Sequence, residues 1–164
     1  MIKKLKYLLF ALPVLMFASC NDDGSDIPQV SVKTTIYDYY AVDSDPNTLY
    51  VTPDNKLTIG EIRIFSLDGE QAGIGEVTYF LNGQPFYVTA MPPYGVALPS
   101  KYLAPGVNTL GIEMSIAVVG YEVTYGYLNY KVVYVEDVES LPGGAVYVPA
   151  PAGEETPEAP QPQS

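Results

Sequence analysis

The residue types that most often carry catalysis are nearly absent from this chain. Its 164 residues include no histidine and a single cysteine, Cys20. Nucleophilic sites of the Ser-His-Asp or Cys-His type need a histidine base, so they are excluded. Zinc sites built from several cysteine or histidine ligands are excluded for the same reason.

Carboxylates are the main remaining groups for acid–base chemistry. Glu136, Asp137 and Glu139 lie close together in the sequence. Glycoside hydrolysis needs two carboxylates that face each other across a cleft, and this spacing does not predict a cleft. The cluster is more typical of a solvated charged edge, so we expect a protein that is not an enzyme.

A second acidic stretch has part of the spacing of a calcium loop. Asp43, Asp45 and Asn47 fit its first three ligand positions, and Asp54 fits its last one. Thr48 stands where the loop needs glycine, and no flanking helices are evident. We interpret the stretch as a polar turn and predict no metal or cofactor, with calcium as the open alternative.

Tyrosine is the most abundant aromatic residue, with 15 copies in a chain that lacks tryptophan. Tyrosine offers a large contact area with a polar tip, so loop tyrosines could bind a sugar ring or a partner protein. Tyr94, Tyr102 and Tyr121 lie near strand ends or in loops and are the candidates. Tyr94 follows two prolines in the loop 91–96, where it could be an exposed anchor or a plug in the core. The strand tyrosines are expected to be half-buried.

Charge argues against one class of partner. The formal net charge is -11. A surface this acidic repels phosphate backbones, so we expect no nucleic-acid partner.

Cys20 stands at the end of a segment with the features of an export signal. Lys3, Lys4 and Lys6 precede an apolar run of 12 residues, 7–18. That run is shorter than the roughly 20 residues that span a membrane, and it matches the apolar region of a secretory signal. Ala18 and Ser19, both small, come directly before the cysteine.

These features resemble the signal of a bacterial lipoprotein. The acidic run "NDDGSD" after the cysteine is similar to export signals of surface-exposed lipoproteins in Bacteroidetes-type bacteria. The resemblance implies cleavage before Cys20, a lipid on its thiol, and a membrane-anchored protein at the outer membrane or cell surface. The alternative is an ordinary secretory signal followed by a free thiol.

The rest of the chain predicts strands. Residues 30–37 alternate with a period of two, and Gly60 interrupts the apolar pattern of 57–65, which indicates a bulge. Asn82-Gly83 separates two β-rich runs and predicts a type I′ hairpin. Residues 68–75 are glycine-rich and predict a long loop. Two long strands with a turn near Gly120 follow.

Short strands of this kind predict an all-β protein with a single antiparallel sandwich. The run from 77 to 114 resembles immunoglobulin-like and fibronectin-type modules of bacterial surface proteins, with Leu103, Pro105 and Gly106 at a corner before a strand. Such modules often turn a Pro-aromatic pair inward, which favours Tyr94 as a plug. We expect a signal peptide at 1–19, a lipidated Cys20 with an acidic tether at 20–29, the sandwich at 30–136, and a disordered, proline-rich tail at 137–164.

The expected function is that of a non-enzymatic surface lipoprotein, an interaction or structural accessory module. Its partners would be the membrane, through the lipid, and an unknown protein or glycan. The alternative is a glycan-binding module that uses the loop tyrosines.

Overall fold

The computed structural model describes residues 28–67, 69–153 and 155–161, and these residues form an all-β protein. Cys20 and the predicted signal peptide and tether, up to residue 27, lie outside the described residues. Short 3₁₀ turns occur at Ser100–Tyr102 and Val138–Ser140. The ten strands are β1 (Val30–Tyr37), β2 (Tyr39–Ala41), β3 (Thr48–Val51), β4 (Lys56–Ser66), β5 (Ala72–Leu81), β6 (Gln84–Thr89), β7 (Val96–Pro99), β8 (Gly106–Val118), β9 (Thr124–Tyr134) and β10 (Val146–Val148).

The strands form two packed sheets, which confirms the predicted β-sandwich. One sheet has the order β1-β4-β7, and the other has the order β10-β2-β3-β9-β8-β5-β6. The chain passes from one sheet to the other between β1 and β2, on either side of β4, and on either side of β7. Among these ten strands the pairing is antiparallel except between β3 and β9, which run parallel.

The core follows from alternation along the long strands. On β8, Leu110, Ile112, Met114 and Ile116 are at most 1% exposed and point towards the other sheet. On β5, Val77, Tyr79 and Leu81 share the inward face, as their spacing predicts. Burial of these alternate side chains is the main stabilising force of the sandwich.

The Asn82-Gly83 hairpin is confirmed. Both residues have positive φ, 51° and 81°, as a type I′ turn requires, and β5 pairs with β6 on either side. The bulge at Gly60 is also confirmed, because Thr35 pairs with Glu61 and the next residue of β1 pairs with Ile59. A Cβ on Gly60 would lie 2.6 Å from the Tyr37 ring, so this close approach requires glycine.

The glycine-rich stretch 68–75 is not a loop throughout, and this expectation was wrong. β5 begins at Ala72, and Ala72 to Ile74 pair with the end of β8. Ile74 also packs against the core. Cross-strand pairing and side-chain burial therefore outweigh the low strand propensity of glycine.

Packed structure extends beyond the predicted domain boundary at Glu136. β10 pairs with β2, and Ala159 is only 3% exposed among the core residues. The sandwich as described thus includes segments that the sequence analysis assigned to the tail. The proline-rich composition of this region did not predict them, because each segment contributes only a few residues to the sandwich.

Candidate functional site

Tyr94 lies half-buried between the sheets and packs against the core. Its hydroxyl donates a hydrogen bond of 2.8 Å to the carbonyl oxygen of Ile74, and its own carbonyl oxygen accepts one of 2.6 Å from the Tyr79 hydroxyl. Burial raises the pKa of Tyr79 far above its usual value. Both polar ends of Tyr94 are thus engaged within the protein, an orientation that suits a plug better than an exposed anchor.

The other two predicted loop tyrosines are also turned towards the protein. Tyr102 and Tyr121 are half-buried and pack against the core, and the Lys101 ammonium lies 5.1 Å from the centre of the Tyr102 ring. Each tyrosine of this set contacts the core from its own loop. The structure describes no cleft that the three line together.

Two tyrosines of β9 are exposed instead. Tyr125 is 54% exposed and Tyr127 is 48% exposed. They stand two residues apart on one strand, so both side chains project from the outer face of the seven-stranded sheet about 7 Å apart. We call the surface around them the β9 tyrosine patch, formed by Phe80, Gly111, Glu113, Tyr125, Tyr127 and Asn129.

Strand register builds the patch in two rows across β5, β8 and β9. Phe80, Gly111 and Asn129 stand side by side in one row, and Glu113 pairs with Tyr127 in the next. Because Gly111 has no side chain, it forms the floor of a trough of about 300 Å³ between its neighbours. A Cβ at this position would lie 3.4 Å from both the Phe80 Cβ and the Asn129 amide oxygen.

The chemistry of the patch is mixed. Phe80 and Tyr127 supply aromatic rings, and Glu113 and Asn129 supply hydrogen-bonding groups beside them. Hydrogen bonding to the Glu113 carboxylate raises the pKa of Tyr127, with a further contribution from its charge. Tyr127 therefore stays a neutral phenol at physiological pH. Such a surface can stack on a flat ligand while it hydrogen-bonds the ligand's rim.

Sequence reasoning missed this patch because β9 has apolar or aromatic residues on both faces. That pattern indicates a strand covered on both sides. The alternation of Tyr125 and Tyr127 with Gly126 and Leu128 is the signal that could have indicated a sheet with one open face. Gly126 is buried and leaves room for Ile116, whose Cδ1 lies 2.8 Å from where a Cβ would be.

A wider groove of about 710 Å³ lies beside the loop 91–95. Tyr37 and Tyr87 line it together with residues 155–157 of the C-terminal segment. Two of its charged groups are paired with each other, since Arg63 donates to Glu61 over 2.7 Å, and Glu155 also lines the groove. One wall of the groove is therefore formed by the C-terminal segment.

The acidic residues singled out in the sequence do not converge. Glu136, Asp137 and Glu139 are all exposed. Asp45 accepts a hydrogen bond of 3.2 Å from Tyr50 and lies 3.9 Å from the Lys131 ammonium, whereas Asp43, Asn47 and Asp54 are exposed. Within the described ranges, no group of three or more acidic side chains could hold a metal ion.

The most highly connected carboxylate is structural. Asp38 has a φ of 58° and lies where the chain passes from β1 to β2. Its carboxylate accepts hydrogen bonds from the Asn55 amide, the Lys56 backbone N–H and the Tyr147 hydroxyl, at 2.7–2.9 Å. The hydrogen bond from the Tyr147 hydroxyl to Asp38 raises the pKa of Tyr147 to about 12. Asp38 therefore joins β10 to the β3–β4 turn.

Comparisons with known proteins give no relative. No family model, no curated protein and no solved structure matches the chain. Among the residues that the structure describes, no helix is long and apolar enough to cross a membrane.

Proposed function

We propose that this chain is a non-enzymatic lipoprotein, held at the outer membrane or cell surface of a bacterium by lipid on Cys20. In this proposal the sandwich is an interaction module, and the β9 tyrosine patch is its contact surface. The segment 1–26 supports the anchor through its lysines, apolar run and acidic continuation. The lipid would leave the sandwich facing solvent, where a surface patch can meet a partner.

The exposed pair Tyr125 and Tyr127 is the observation that carries the binding proposal. Two large aromatic side chains about half exposed on one sheet face are costly to leave in water, and aromatic residues are enriched at protein interfaces. Tyrosine also loses little conformational entropy on binding, because it has few rotatable bonds.

Alanine substitution with a matched control tests the proposal. Tyr125→Ala and Tyr127→Ala, together, should abolish co-purification of partners from the native membrane. Tyr147→Ala removes a tyrosine of similar exposure, 45%, at the far edge of the sheet and should leave the partners bound. Equal recovery with both variants would contradict a role for the patch, provided that all proteins melt cooperatively.

Glycan binding is the second candidate function, and the trough over Gly111 favours it. A sugar ring has a flat apolar face and a rim of hydroxyls. Phe80 and Tyr127 could contact the face, while Glu113 and Asn129 could bond the hydroxyls. The earlier assignment to loop tyrosines has less support, because Tyr94 uses its polar atoms within the protein.

A glycan array separates the two candidates. The substitution Gly111→Leu would fill the trough. A specific array hit that is lost in this variant supports glycan binding at the trough. Ala117→Leu is the control, because Ala117 is exposed on the same strand and does not line the trough. Partner capture that persists in Gly111→Leu would favour a protein ligand instead.

A further inference from the structure

The C-terminal segment 155–161 adds an extra partner to the edge of the three-stranded sheet. The Ala97 N–H donates to the Pro157 carbonyl oxygen, and the Ala159 N–H donates to the Ala97 carbonyl oxygen, both at 2.8 Å. Ala97 and Glu158 form a parallel bridge. β7 already pairs with β4 on its other side, so the segment covers the edge that β7 would otherwise expose.

Two neighbouring side chains of the segment face opposite ways. Ala159 points inward and is 3% exposed within the core cluster. Glu158 points outward, and its carboxylate lies 2.7 Å from the Lys56 ammonium. Thr156 lies above Gly95, where a Cβ would be 3.1 Å from the threonine methyl. The segment thus has a shaped receptor, formed by β7, Lys56 and Gly95.

The attachment is nevertheless slight. The segment contributes one bridge to β7, one small buried side chain, and an ion pair whose side chains are about half exposed. Exposed ion pairs contribute little, about 0–1 kcal/mol. Residues 149–153 before it are exposed and contain Pro149, Pro151 and Gly153. A short, proline-rich connection of this kind lets the segment that follows it leave as a unit and remain extended.

We infer that the β7 edge also takes the C-terminal segment of a second copy of this chain. Exchange would replace every contact by an identical one, since the donor and the receptor are unchanged. Main-chain hydrogen bonds to β7 would supply the pairing, and the Ala159 methyl and the Glu158–Lys56 pair would set its register. The inference depends on neither the lipid anchor nor the β9 tyrosine patch.

Isotope-resolved cross-linking of the full chain in detergent tests this inference. A carbodiimide joins a carboxylate to an amine in direct contact, so it should join Glu158 to Lys56. Copies labelled with ¹⁵N and unlabelled copies are incubated together at high concentration below the melting temperature. Exchange predicts cross-linked peptides with one heavy and one light partner, whose share rises with protein concentration and equals that of same-isotope pairs only if every segment is exchanged. Only same-isotope pairs, or no such cross-link, would overturn it.

Variants distinguish docking from chance collision. Ala159→Asp places a carboxylate in the core and should remove the mixed pairs; their persistence would show collision and contradict the inference. Two charge-reversal variants, Lys56→Glu and Glu158→Lys, each place two like charges at this contact. When the two variants are mixed, opposite charges meet only between position 56 of one copy and position 158 of the other. Cross-links in that mixture should rise several-fold over either variant alone. No rise would also contradict the inference.

Discussion

The Tyr79 hydroxyl donates a hydrogen bond of 2.6 Å to the carbonyl oxygen of Tyr94, while the Tyr94 hydroxyl donates one of 2.8 Å to the carbonyl oxygen of Ile74. Tyr79 and Ile74 both belong to β5, so the loop 91–95 is fastened to one strand at two points. The loop is also held to β4, because the Ile62 N–H donates to the Pro93 carbonyl oxygen over 3.1 Å. These bonds make Tyr94 part of the sandwich.

Tyr94→Ala should therefore destabilise the protein by roughly 3 kcal/mol or more, the usual cost of removing a packed aromatic ring. Tyr94→Phe keeps the ring and should cost about 1 kcal/mol, for one lost hydrogen bond. Denaturant unfolding measures both, with the exposed Tyr125→Ala as the control, expected within about 0.5 kcal/mol of the parent. An unchanged melting temperature in Tyr94→Ala, with weaker ligand binding, would restore Tyr94 as a binding residue.

Gly83→Val should destabilise the hairpin between β5 and β6. Gly83 has a φ of 81°, and a β-branched residue there is expected to cost about 1–3 kcal/mol. Gly73→Val is the matched control, because Gly73 lies in β5 with open space around its Cβ position and no positive φ. Equal unfolding free energies for the two variants would contradict the role of the turn.

Local signals made much of this fold predictable from the sequence. Asn82-Gly83 fixes its turn through its own backbone preferences, and the alternation along β8 fixes which face is buried. Gly60 could be recognised as a bulge because it shifts the apolar phase of β4. Each of these signals lies within a few residues.

The candidate surfaces depend on relationships that no local stretch contains. Tyr127 is exposed because no segment that the structure describes covers the outer face of β9. Its neighbours Glu113 and Phe80 belong to other strands, β8 and β5. Ala159 is buried because β7 offers it an edge about 60 residues earlier in the chain. Composition alone favoured disorder for that segment, since proline-rich, acidic stretches seldom bury a core.

Cys20→Ala should release the protein from membranes if the cysteine carries the lipid. Each buried CH₂ of an acyl chain contributes about 0.8 kcal/mol to membrane binding, and the mutant would lose the whole contribution. Detergent-phase partitioning measures the effect. Ser19→Ala keeps a small residue before the cysteine and should still partition into detergent. Unchanged partitioning of Cys20→Ala would contradict the anchor.

Docking of the C-terminal segment should weaken in acid. Hydrogen bonding to Lys56 and its positive charge lower the pKa of Glu158 below its usual value. The docked state therefore binds the proton less readily than the free segment. The ionised Glu158 carboxylate therefore stabilises the docked state. This stabilisation is complete above the ordinary glutamate pKa of about 4.3 and is lost as the pH falls through the lower pKa of the docked state.

The Ala159 methyl resonance reports this equilibrium, because the methyl is in the core when docked and in water when free. We expect the docked fraction to fall as the pH drops below about 4. In Lys56→Met, which lacks the ammonium, docking should be weaker at neutral pH and should lose this acid dependence. If both proteins titrate alike, another carboxylate controls the segment, and the Lys56–Glu158 contact does not contribute to its docking.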